Sequence, residues 1–504
     1  MEGSSEKVIE RRTERIKKWL WQPYNLALTI VVAFAVIVRI YFLTIAKNQA
    51  HWWDSLAFGS LAKEMIYHYW SNNAFIINET TIRPPFFSLI WSWLLRLNFS
   101  DYAVLIFLDI IPSVLSVFFV YLLAKELYDK KTAIISSAIL APLWIHLFYS
   151  VRIMSDIPSL FFTLASMYFF AKSYEKIEIK PFALSVFFIA LAILTRYFYG
   201  IIGALYIIFM IFSHGKSLIK NKNFWIGGLI GALPVIIFLL ANLAAKGSLL
   251  PAFSIYAGSA AQKAGFAYYT LSFIPYIFGK IITGFFILGV LIALGNIVIG
   301  FDKLKEIKSL KSHLFLITLF VVPLAFFIFW MRASEDRYLF ISIPSMIILS
   351  AVGLGYCQDY IKKYSKYLAI ALVIAVLLVV TYGQITFANN MIENKKTSYS
   401  QMKDAFLWIK ENTPKDAVLL GDGIDPYAIY YSERRLAGWS SETINESTMQ
   451  ADYIVLHGFE HQTKELIDYV NNRTGKDFLP VQAYFFDADR TQPAVIVYKV
   501  EKKS

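Results

Sequence analysis

The chain has 504 residues, of which 57% are hydrophobic and 17% aromatic, and its mean hydropathy is +0.52. This composition excludes an ordinary soluble enzyme, because apolar runs of about 20 residues recur and can only be buried in lipid. The formal net charge of +12 does not indicate a nucleic-acid partner, since basic cytoplasmic loops account for such a charge in a multi-pass membrane protein. The single cysteine, Cys357, excludes an internal disulfide.

The first apolar run extends from Pro23 to Ile45 and follows a basic segment, residues 1–22. It is too long for the core of a signal peptide and lacks a small-residue cleavage site, so we interpret it as an uncleaved anchor. With the basic segment in the cytoplasm, this first helix delivers the loop 46–102 to the outside.

The loop 46–102 is the stretch around which we interpret the rest of the chain. It contains Asp54 in an apolar and aromatic setting and reaches the sequence Arg83-Pro84-Pro85. An ionised carboxylate in such a setting needs a partner, and its pKa can shift. Loops on a rigid scaffold commonly carry function. We therefore interpret Asp54 as a catalytic residue rather than as an ordinary solvated loop residue.

The apolar segment Phe86 to Leu97 has about 12 residues, whereas a helix that spans a membrane needs about 20. If it crossed the membrane, the lysines that follow the next run, at positions 125, 130 and 131, would lie outside. If it lies along the outer interface, these lysines and every later basic cluster stay in the cytoplasm. We therefore predict an interfacial helix.

The remaining apolar runs predict the rest of a bundle of about 11 spans, with the N-terminus inside and the C-terminus outside. One long run, Phe182 to Phe212, is interrupted at Thr195-Arg196-Tyr197 and predicts two short helices. The start of the helix that ends at Gly300 lies somewhere after Thr270 and is left open, because Pro275 and Lys280 can also belong to a second interfacial helix. The other predicted helices are 103–124, 132–151, 156–172, 224–244, 314–331, 338–357 and 367–388, all approximate.

The tail from residue 389 to 504 alternates helical and strand patterns, which predicts a small α/β domain outside the membrane. The transmembrane domain is then 1–388. In the tail we predict helices at 399–412 and 460–471 and strands at 417–421, 453–457 and 494–500. The acidic stretch Gly421 to Asp425 is interpreted as a turn at a strand end, with a ligand site as the alternative.

Acids and arginines collect on the predicted outer face. Arg196 lies at the interruption described above, Arg337 follows the helix that ends near 331, and Asp156 stands at the end of the short loop 151–156. Acids and arginines on one surface suggest a base together with anion-binding groups. For Asp156, a role as helix N-cap competes evenly with a role in a site.

The order of these motifs resembles that of the GT-C membrane glycosyltransferases, in particular the protein O-mannosyltransferases and the lipid A aminoarabinose transferases. The resemblance covers the whole chain, although each motif is short. It rests on a helix with an internal arginine, the acidic loop and four later motifs: Arg83-Pro84-Pro85-Phe86-Phe87, Leu194-Thr195-Arg196, Asp336-Arg337-Tyr338-Leu339 and Trp408 to Pro414. Many relatives have Asp-Glu where this chain has Asp54-Ser55, which puts a two-acid site in doubt.

The resemblance implies a polyprenyl- or dolichyl-phosphate sugar as donor and a hydroxyl of a lipid, glycan or protein as acceptor, with inversion at the anomeric carbon. Asp54 corresponds to the loop acid that orients or deprotonates the acceptor. The leaving phosphate needs cationic donors, for which Arg196 and Arg337 are the first candidates. Further candidates are Arg83 and Lys280. No metal is required for these roles, and the sequence leaves a divalent metal open.

Arg39 and Asp109 are predicted to lie inside the membrane, each about six residues from the outer end of its helix. At 1.5 Å per residue, both sit roughly 9 Å below that surface. Since a buried charge needs a partner, we predict an Arg39–Asp109 ion pair between the first two spanning helices. The alternatives are that Arg39 extends alone toward the surface or faces the donor phosphate.

Two functions from other classes stay open. A transporter would carry charges through the middle of the membrane or an internal repeat, and neither is evident in the sequence. A scaffold for lipid-linked glycans without transfer activity would not need Asp54 or the arginines.

Overall fold

The computed structural model describes residues 14, 19, 21–252, 272–331, 335–440, 442–459 and 462–501. The basic N-terminal segment therefore lies almost entirely outside the described residues. The helix that ends near 300 begins at Ile274, so Pro275 and Lys280 both belong to it, with a non-helical residue at Gly279. Within the described ranges the chain is mainly α-helical, as predicted.

The helices, in chain order, are α1 (Pro23–Ala46), α2 (Trp53–Tyr67), α3 (Ala74–Ile82), α4 (Pro85–Arg96), α5 (Asp101–Leu127), α6 (Lys130–Leu140), α7 (Trp144–Ser150), α8 (Asp156–Ser173), α9 (Ile179–Thr195), α10 (Gly200–His214), α11 (Lys222–Lys246), α12 (Ile274–Ile299), α13 (Lys308–Ala325), α14 (Ile343–Lys362), α15 (Lys366–Lys395), α16 (Ser400–Asn412), α17 (Ile444–Gln450) and α18 (Lys464–Asn471).

Among these helices, seven are long and apolar enough to cross a membrane: α1, α5, α10 with its flanking turns, α11, α12, α13 with its continuation to Trp330, and α15. The bent pair α6 and α7 makes an eighth if it counts as one span. The protein is thus a multi-pass membrane protein, but the predicted count of eleven is not confirmed. Of the other predicted spans, α9 has only 17 residues. Helices α8 and α14 contain charged residues such as Asp156 and Asp359, which lower their mean hydropathy.

The interruption of the long run at Arg196 is confirmed. Helix α9 ends at Thr195, a 3-10 turn occupies Tyr197–Tyr199, and α10 begins at Gly200. The predicted helix 132–151, in contrast, is broken: α6 and α7 bend by 59° at residues 141–143. Pro142 explains the break, because proline lacks a backbone N–H and clashes with the preceding turn.

The C-terminal part contains a mixed five-stranded sheet. Its strands are β1 (Val418–Leu420), β2 (Arg435–Leu436), β3 (Tyr453–His457), β4 (Phe478–Phe485) and β5 (Pro493–Val500), in the order β2-β1-β3-β5-β4. Strand β1 is parallel to β2 and β3, whereas β5 is antiparallel to β3 and β4.

The three predicted strands are present, while β2 and β4 were missed. Strand β2 has only two residues, and β4 contains Pro480 and irregular register beside β5, so neither shows a clear alternation. Leu466 and Val470 of α18 join β-strand residues such as Ile454 in the core of this part.

The chain divides into two compact units. The first comprises residues 1–44 and 106–392, and the second comprises residues 45–105 and 393–504. The loop that carries Asp54 therefore packs with the C-terminal tail in one unit. The location of either part relative to a membrane, including the predicted boundary at residue 388, stays a prediction.

Apolar side chains from both segments form the core that holds the second unit together. Leu61, Trp70 and Ile76 of the loop pack around Ile429 of the tail. Gly59 of α2 lies so close to the tail that a Cβ at this position would come within 2.6 Å of the Tyr430 ring. A glycine is therefore needed there for close approach.

Candidate active site

Asp54 lies in the first turn of α2, two residues after Trp52, which occupies the N-cap position. A carboxylate in the first turn is favoured by the helix dipole. The Asp54 side chain is 27% exposed, so it can reach a bound molecule. Its neighbour Ser55 is buried in α2, and the loop presents no second acid at that position.

Arg83 is the cation that holds Asp54. Its Nη2 donates to Asp54 Oδ1 at 2.9 Å, and its Nε donates to the carboxylate of Glu79, one helical turn earlier. The guanidinium also lies over the Phe58 ring at 4.8 Å. Burial opposes the charged form of Arg83, but the carboxylates of Asp54 and Glu79 outweigh it and raise the pKa of Arg83.

Local sequence explains why Arg83 is fixed. It is the C-cap of α3, and Pro84 and Pro85 follow, with Pro85 at the start of α4. Proline cannot continue α3 but is well suited to the first turn of a helix. The Arg83-Pro84-Pro85 motif thus ends one helix, begins the next and leaves the arginine beside α2. The sequence interpretation missed Glu79, although its spacing of four residues from Arg83 was a signal.

A polar and aromatic cluster lies three residues before Asp54. His51 Nε2 is 3.0 Å from Asp101 Oδ2, and its ring stacks on Tyr431 at 6.0 Å. Tyr430 donates to the other oxygen of Asp101 at 2.6 Å, and Tyr431 accepts from the backbone N–H of His51 at 2.8 Å. The tail thereby fixes the chain at its entry into α2.

In the first unit, Asp156 and Arg196 form an ion pair, and Asp156 is almost fully buried. Ser155, not Asp156, occupies the N-cap position of α8, without a side-chain capping bond. Arg196 lies at the C-terminal end of α9, where the helix stops and its side chain reaches back to α8. Of the two interpretations offered for Asp156, the N-cap is therefore wrong.

Arg337 lies near Arg196. The Tyr338 ring is 5.9 Å from each of the two guanidinium carbons. Arg337 also pairs with Glu335, and the neighbouring Asp336 accepts from the Tyr149 hydroxyl at 3.4 Å. The two arginines that are predicted to bind the phosphate thus lie beside the same tyrosine ring.

Lys280 immediately follows Gly279, where α12 has a left-handed, non-helical residue with φ 72°. Its side chain is exposed. Lys280 belongs to the first unit with Arg196 and Arg337, whereas Asp54 and Arg83 belong to the second. A meeting of the two sets in one site stays a prediction.

The predicted Arg39–Asp109 ion pair is wrong. Arg39 is fully buried, and its guanidinium donates to Ser113 Oγ, to the carbonyls of Ala35 and Ala141, and lies 2.8 Å from His146 Nδ1. Equal depth in two helices does not fix the direction in which a side chain points. The π-helical turn 106–110, which contains Asp109, further changes that direction.

Asp109 instead contacts the backbone that leads to α8. Its Oδ1 accepts from the N–H of Met154 at 3.4 Å, two residues before Asp156. Its Oδ2 has no hydrogen-bond partner among the described residues, and the side chain is fully buried.

No group of three or more potential metal ligands stands together in the part of the chain that the structure describes. The acidic turn at Gly421 to Asp425 has a structural role. Asp422 Oδ2 accepts from both the N–H and the hydroxyl of Thr463, the N-cap residue of α18.

Residues 82–240 match the family model described as dolichyl-phosphate-mannose-protein mannosyltransferase. This segment contains Arg83, Asp109, Asp156 and Arg196. No curated protein matches the chain in sequence.

Solved structures share the fold. ArnT from Cupriavidus metallidurans in the apo state has a TM-score of 0.68 at 11% identity, over 93% of this chain and 97% of that chain. The same protein bound to undecaprenyl phosphate has a TM-score of 0.63 at 12% identity, over the same shares. The oligosaccharyltransferase AglB from Archaeoglobus fulgidus, in complex with an inhibitory peptide and a dolichol-phosphate, has a TM-score of 0.64 at 15% identity, over 87% of this chain and 70% of that chain.

The chain has the fold of these membrane proteins. The predicted resemblance to GT-C mannosyltransferases and to ArnT is confirmed by the family model and by the fold together.

Proposed function

We propose that the protein is an inverting glycosyltransferase that moves a sugar from a polyprenyl- or dolichyl-phosphate donor to a hydroxyl group at the extracytoplasmic face of a membrane. Two neighbours of the same fold were solved with undecaprenyl phosphate and with dolichol-phosphate, which supports a lipid phosphate as the common element of the donor. The family model, described by a dolichyl-phosphate-mannose donor, supports the same class.

The observation that carries the proposal is the Asp54 carboxylate, partly exposed and held by the partly buried Arg83. A base must present an oxygen to the acceptor and stay ionised until the proton arrives. Arg83 orients the Asp54 carboxylate through its bond to Oδ1, and a neighbouring cation favours the charged form of a carboxyl group. We assign Arg83 to the orientation of Asp54 in preference to phosphate binding, because two carboxylates already hold its guanidinium.

In the proposed reaction, the acceptor oxygen attacks the anomeric carbon as its proton passes to Asp54. The bond between that carbon and the phosphate oxygen breaks, and the lipid phosphate leaves with the electron pair. Attack opposite the leaving group inverts the anomeric centre. Arg196, Arg337 and Lys280 would stabilise the negative charge that develops on the phosphate.

We expect Asp54→Asn to reduce turnover by on the order of 10²–10⁴-fold, which is the usual contribution of a general base. Binding of the lipid phosphate should change little, because Asn keeps the shape of the side chain. Turnover with a defined polyprenyl-phosphate sugar and binding of the corresponding polyprenyl phosphate measure the two effects separately.

Asp416→Asn serves as the matched control, because Asp416 is exposed and lies in the tail of the same unit. An Asp54→Asn variant that keeps half of its turnover would remove Asp54 from the mechanism. A wild-type protein with no transfer activity on any such donor would favour the alternatives, a transporter or a scaffold for lipid-linked glycans.

A further inference from the structure

Two helix breaks in the first unit, far apart in sequence, are joined by one side chain, Gln384. The first break separates α6 from α7 at Pro142, where the helices bend by 59°. The second lies in α12 at Gly279, whose φ of 72° and ψ of 164° are not helical. A break in a helix leaves backbone N–H and C=O groups without their usual partners four residues away.

At Gly279, the groups that need partners are carbonyls of the turn before it. The Gln384 Nε2 donates to the Ile277 carbonyl at 3.1 Å. The indole Nε1 of Trp144 donates to the Tyr276 carbonyl at 3.0 Å. Both donors come from outside α12, one from α15 and the other from the first residue of α7.

At the first break, the same Gln384 supplies the missing acceptor. Its Oε1 accepts from the backbone N–H of Trp144 at 2.8 Å. On the other side of this break, the Ala141 carbonyl accepts from Arg39 at 3.2 Å. A single amide thus bonds a donor at one break and an acceptor at the other.

These bonds are shielded from water. Trp144 is 2% exposed and Gln384 is 7% exposed. The rings of Trp144, Tyr276 and Phe387 pack against one another with centroids 4.8–5.6 Å apart. Buried backbone groups that lose such partners are costly, so the two breaks depend on Gln384 and Trp144.

We propose that Gln384 and Trp144 lock the two breaks into a single joint that sets the position of Lys280 relative to the Asp156–Arg196 pair. Lys280 follows Gly279 directly. Helix α7 ends at Ser150, six residues before Asp156. Gln384 is thus a positioning residue. Only the assignment of these charged groups to the lipid phosphate rests on the proposed function; the joint does not.

Hydrogen exchange of backbone amides in the full chain, reconstituted in lipid nanodiscs, tests the joint. Gln384→Leu should accelerate exchange about tenfold in both 141–147 and 279–283, which corresponds to the loss of one buried hydrogen bond. Asn390→Leu is the matched control, because Asn390 is an exposed amide on the same helix. Unchanged exchange in either segment of Gln384→Leu would overturn the joint.

Trp144→Phe separates a joint from two independent contacts, because it removes only the bond to the Tyr276 carbonyl and keeps an aromatic ring. If the breaks are joined, exchange rises in both segments. If exchange rises only in 279–283, each break is held on its own and the proposal is wrong. This variant also keeps the experiment decisive if Gln384→Leu fails to fold.

Undecaprenyl phosphate is the probe that tests whether the joint positions the groups that bind the phosphate. We expect it to stabilise the wild-type protein against heat, and to bind Trp144→Phe about tenfold more weakly, with the KM for the lipid-phosphate sugar raised and kcat less affected. Binding equal to that of the wild type would show that the joint does not position the phosphate site. A wild-type protein that the probe does not stabilise would contradict the proposed function, while the exchange experiment still decides the joint.

Discussion

The role of Arg83 can be tested separately from that of Asp54, because the loss of its charge should change the pH dependence of turnover in a known direction. Removing a cation from a carboxylate disfavours the charged form and raises the pKa of the carboxyl group. We therefore expect Arg83→Gln to lower turnover and to move the acidic limb of its pH profile to higher pH. Turnover measured across pH checks this expectation.

Arg83→Lys should fall between the wild type and Arg83→Gln, since lysine keeps the charge but cannot offer two fixed N–H groups to Asp54 and Glu79. Arg435→Gln is a suitable control, because Arg435 is exposed and stacks on Tyr69 at 4.8 Å in the same unit. An acidic limb that stays in place in Arg83→Gln would show that Arg83 does not tune the base.

The ion pairs of Glu433 predict that the stability of the second unit depends on pH. Lys63 Nζ and Lys410 Nζ lie 2.5 and 2.9 Å from its Oε1. Burial acts to raise the pKa of Glu433, but the two lysines outweigh it and lower the pKa from its ordinary value of 4.5. A carboxyl group with a lowered pKa stabilises the fold above its unfolded pKa, and this contribution is lost as the pH falls through the folded pKa.

We therefore expect Glu433→Gln to lower the melting temperature at pH 7 and to differ little from the wild type at a pH well below 4.5. Thermal unfolding at several pH values measures the difference. The exposed Glu442 provides the control substitution, Glu442→Gln. A difference that stays constant across this range would show that the ion pairs do not contribute to the pH dependence.

At the scale of the elements, the C-terminal end of α16 depends on a cap from Arg434, which lies later in the tail. Buried Arg434 donates to the carbonyls of Lys410 and Thr413 at 2.7 and 2.8 Å, and to Ser432 O at 2.9 Å. Carbonyls at the end of a helix need such partners. We expect Arg434→Ala to destabilise the second unit by about 2–3 kcal/mol, the scale of hydrogen bonds to charged groups.

Chemical denaturation of the purified protein, monitored in the second unit, measures this loss. Arg435→Ala, at the exposed neighbouring position, should change stability far less. If the two substitutions have equal effects, the cap is not what stabilises the end of α16.

We still predict that helix α4 lies along the outer interface of the membrane. Its 12 residues are too few to span a bilayer. Leu89, Trp93 and Leu97 follow one another at helical spacing and are 44%, 65% and 65% exposed. An exposed apolar stripe with tryptophan suits the boundary between lipid and water.

The topology that follows from this position can be measured by labelling. Cys357 is the only cysteine of the chain, so Cys357→Ser provides a background for Lys130→Cys. We expect a membrane-impermeant thiol reagent to label this cysteine only after the membrane is opened. A cysteine placed at the exposed Lys415 of the tail should be labelled from outside. Labelling at position 130 in sealed cells would mean that α4 spans.

Sequence patterns predicted the elements better than their contacts. The break at Arg196 was visible, because polar residues interrupt an apolar run. The break at Pro142 carried an equally plain signal, but the run around it is continuous and was interpreted as one helix. Sequence patterns give the depth of a residue along the axis of its helix, but not the direction in which its side chain points around that axis. For Asp109 this direction depends on the π-helical turn at 106–110. The predicted Arg39–Asp109 pair was wrong for this reason.

At the scale of the whole molecule, the site residues were predictable as a set, but not their partners. Asp54, Arg83, Asp156, Arg196 and Arg337 stood out because charged residues are rare beside apolar runs. The packing of residues 45–105 with residues 393–504 had no local signal, since Gly59 and Tyr430 are separated by most of the chain. Such contacts are properties of the fold and not of any short stretch.

The second unit also has a consequence for how the protein is made. Its two segments are separated by residues 106–392, which belong to the other unit. At a synthesis rate of about 5–20 residues per second, the loop with Asp54 waits on the order of tens of seconds before the ribosome has made the tail that completes its core. During that interval Leu61, Trp70 and Ile76 lack Ile429, and the nascent loop exposes apolar surface that a chaperone or the membrane interface must shield.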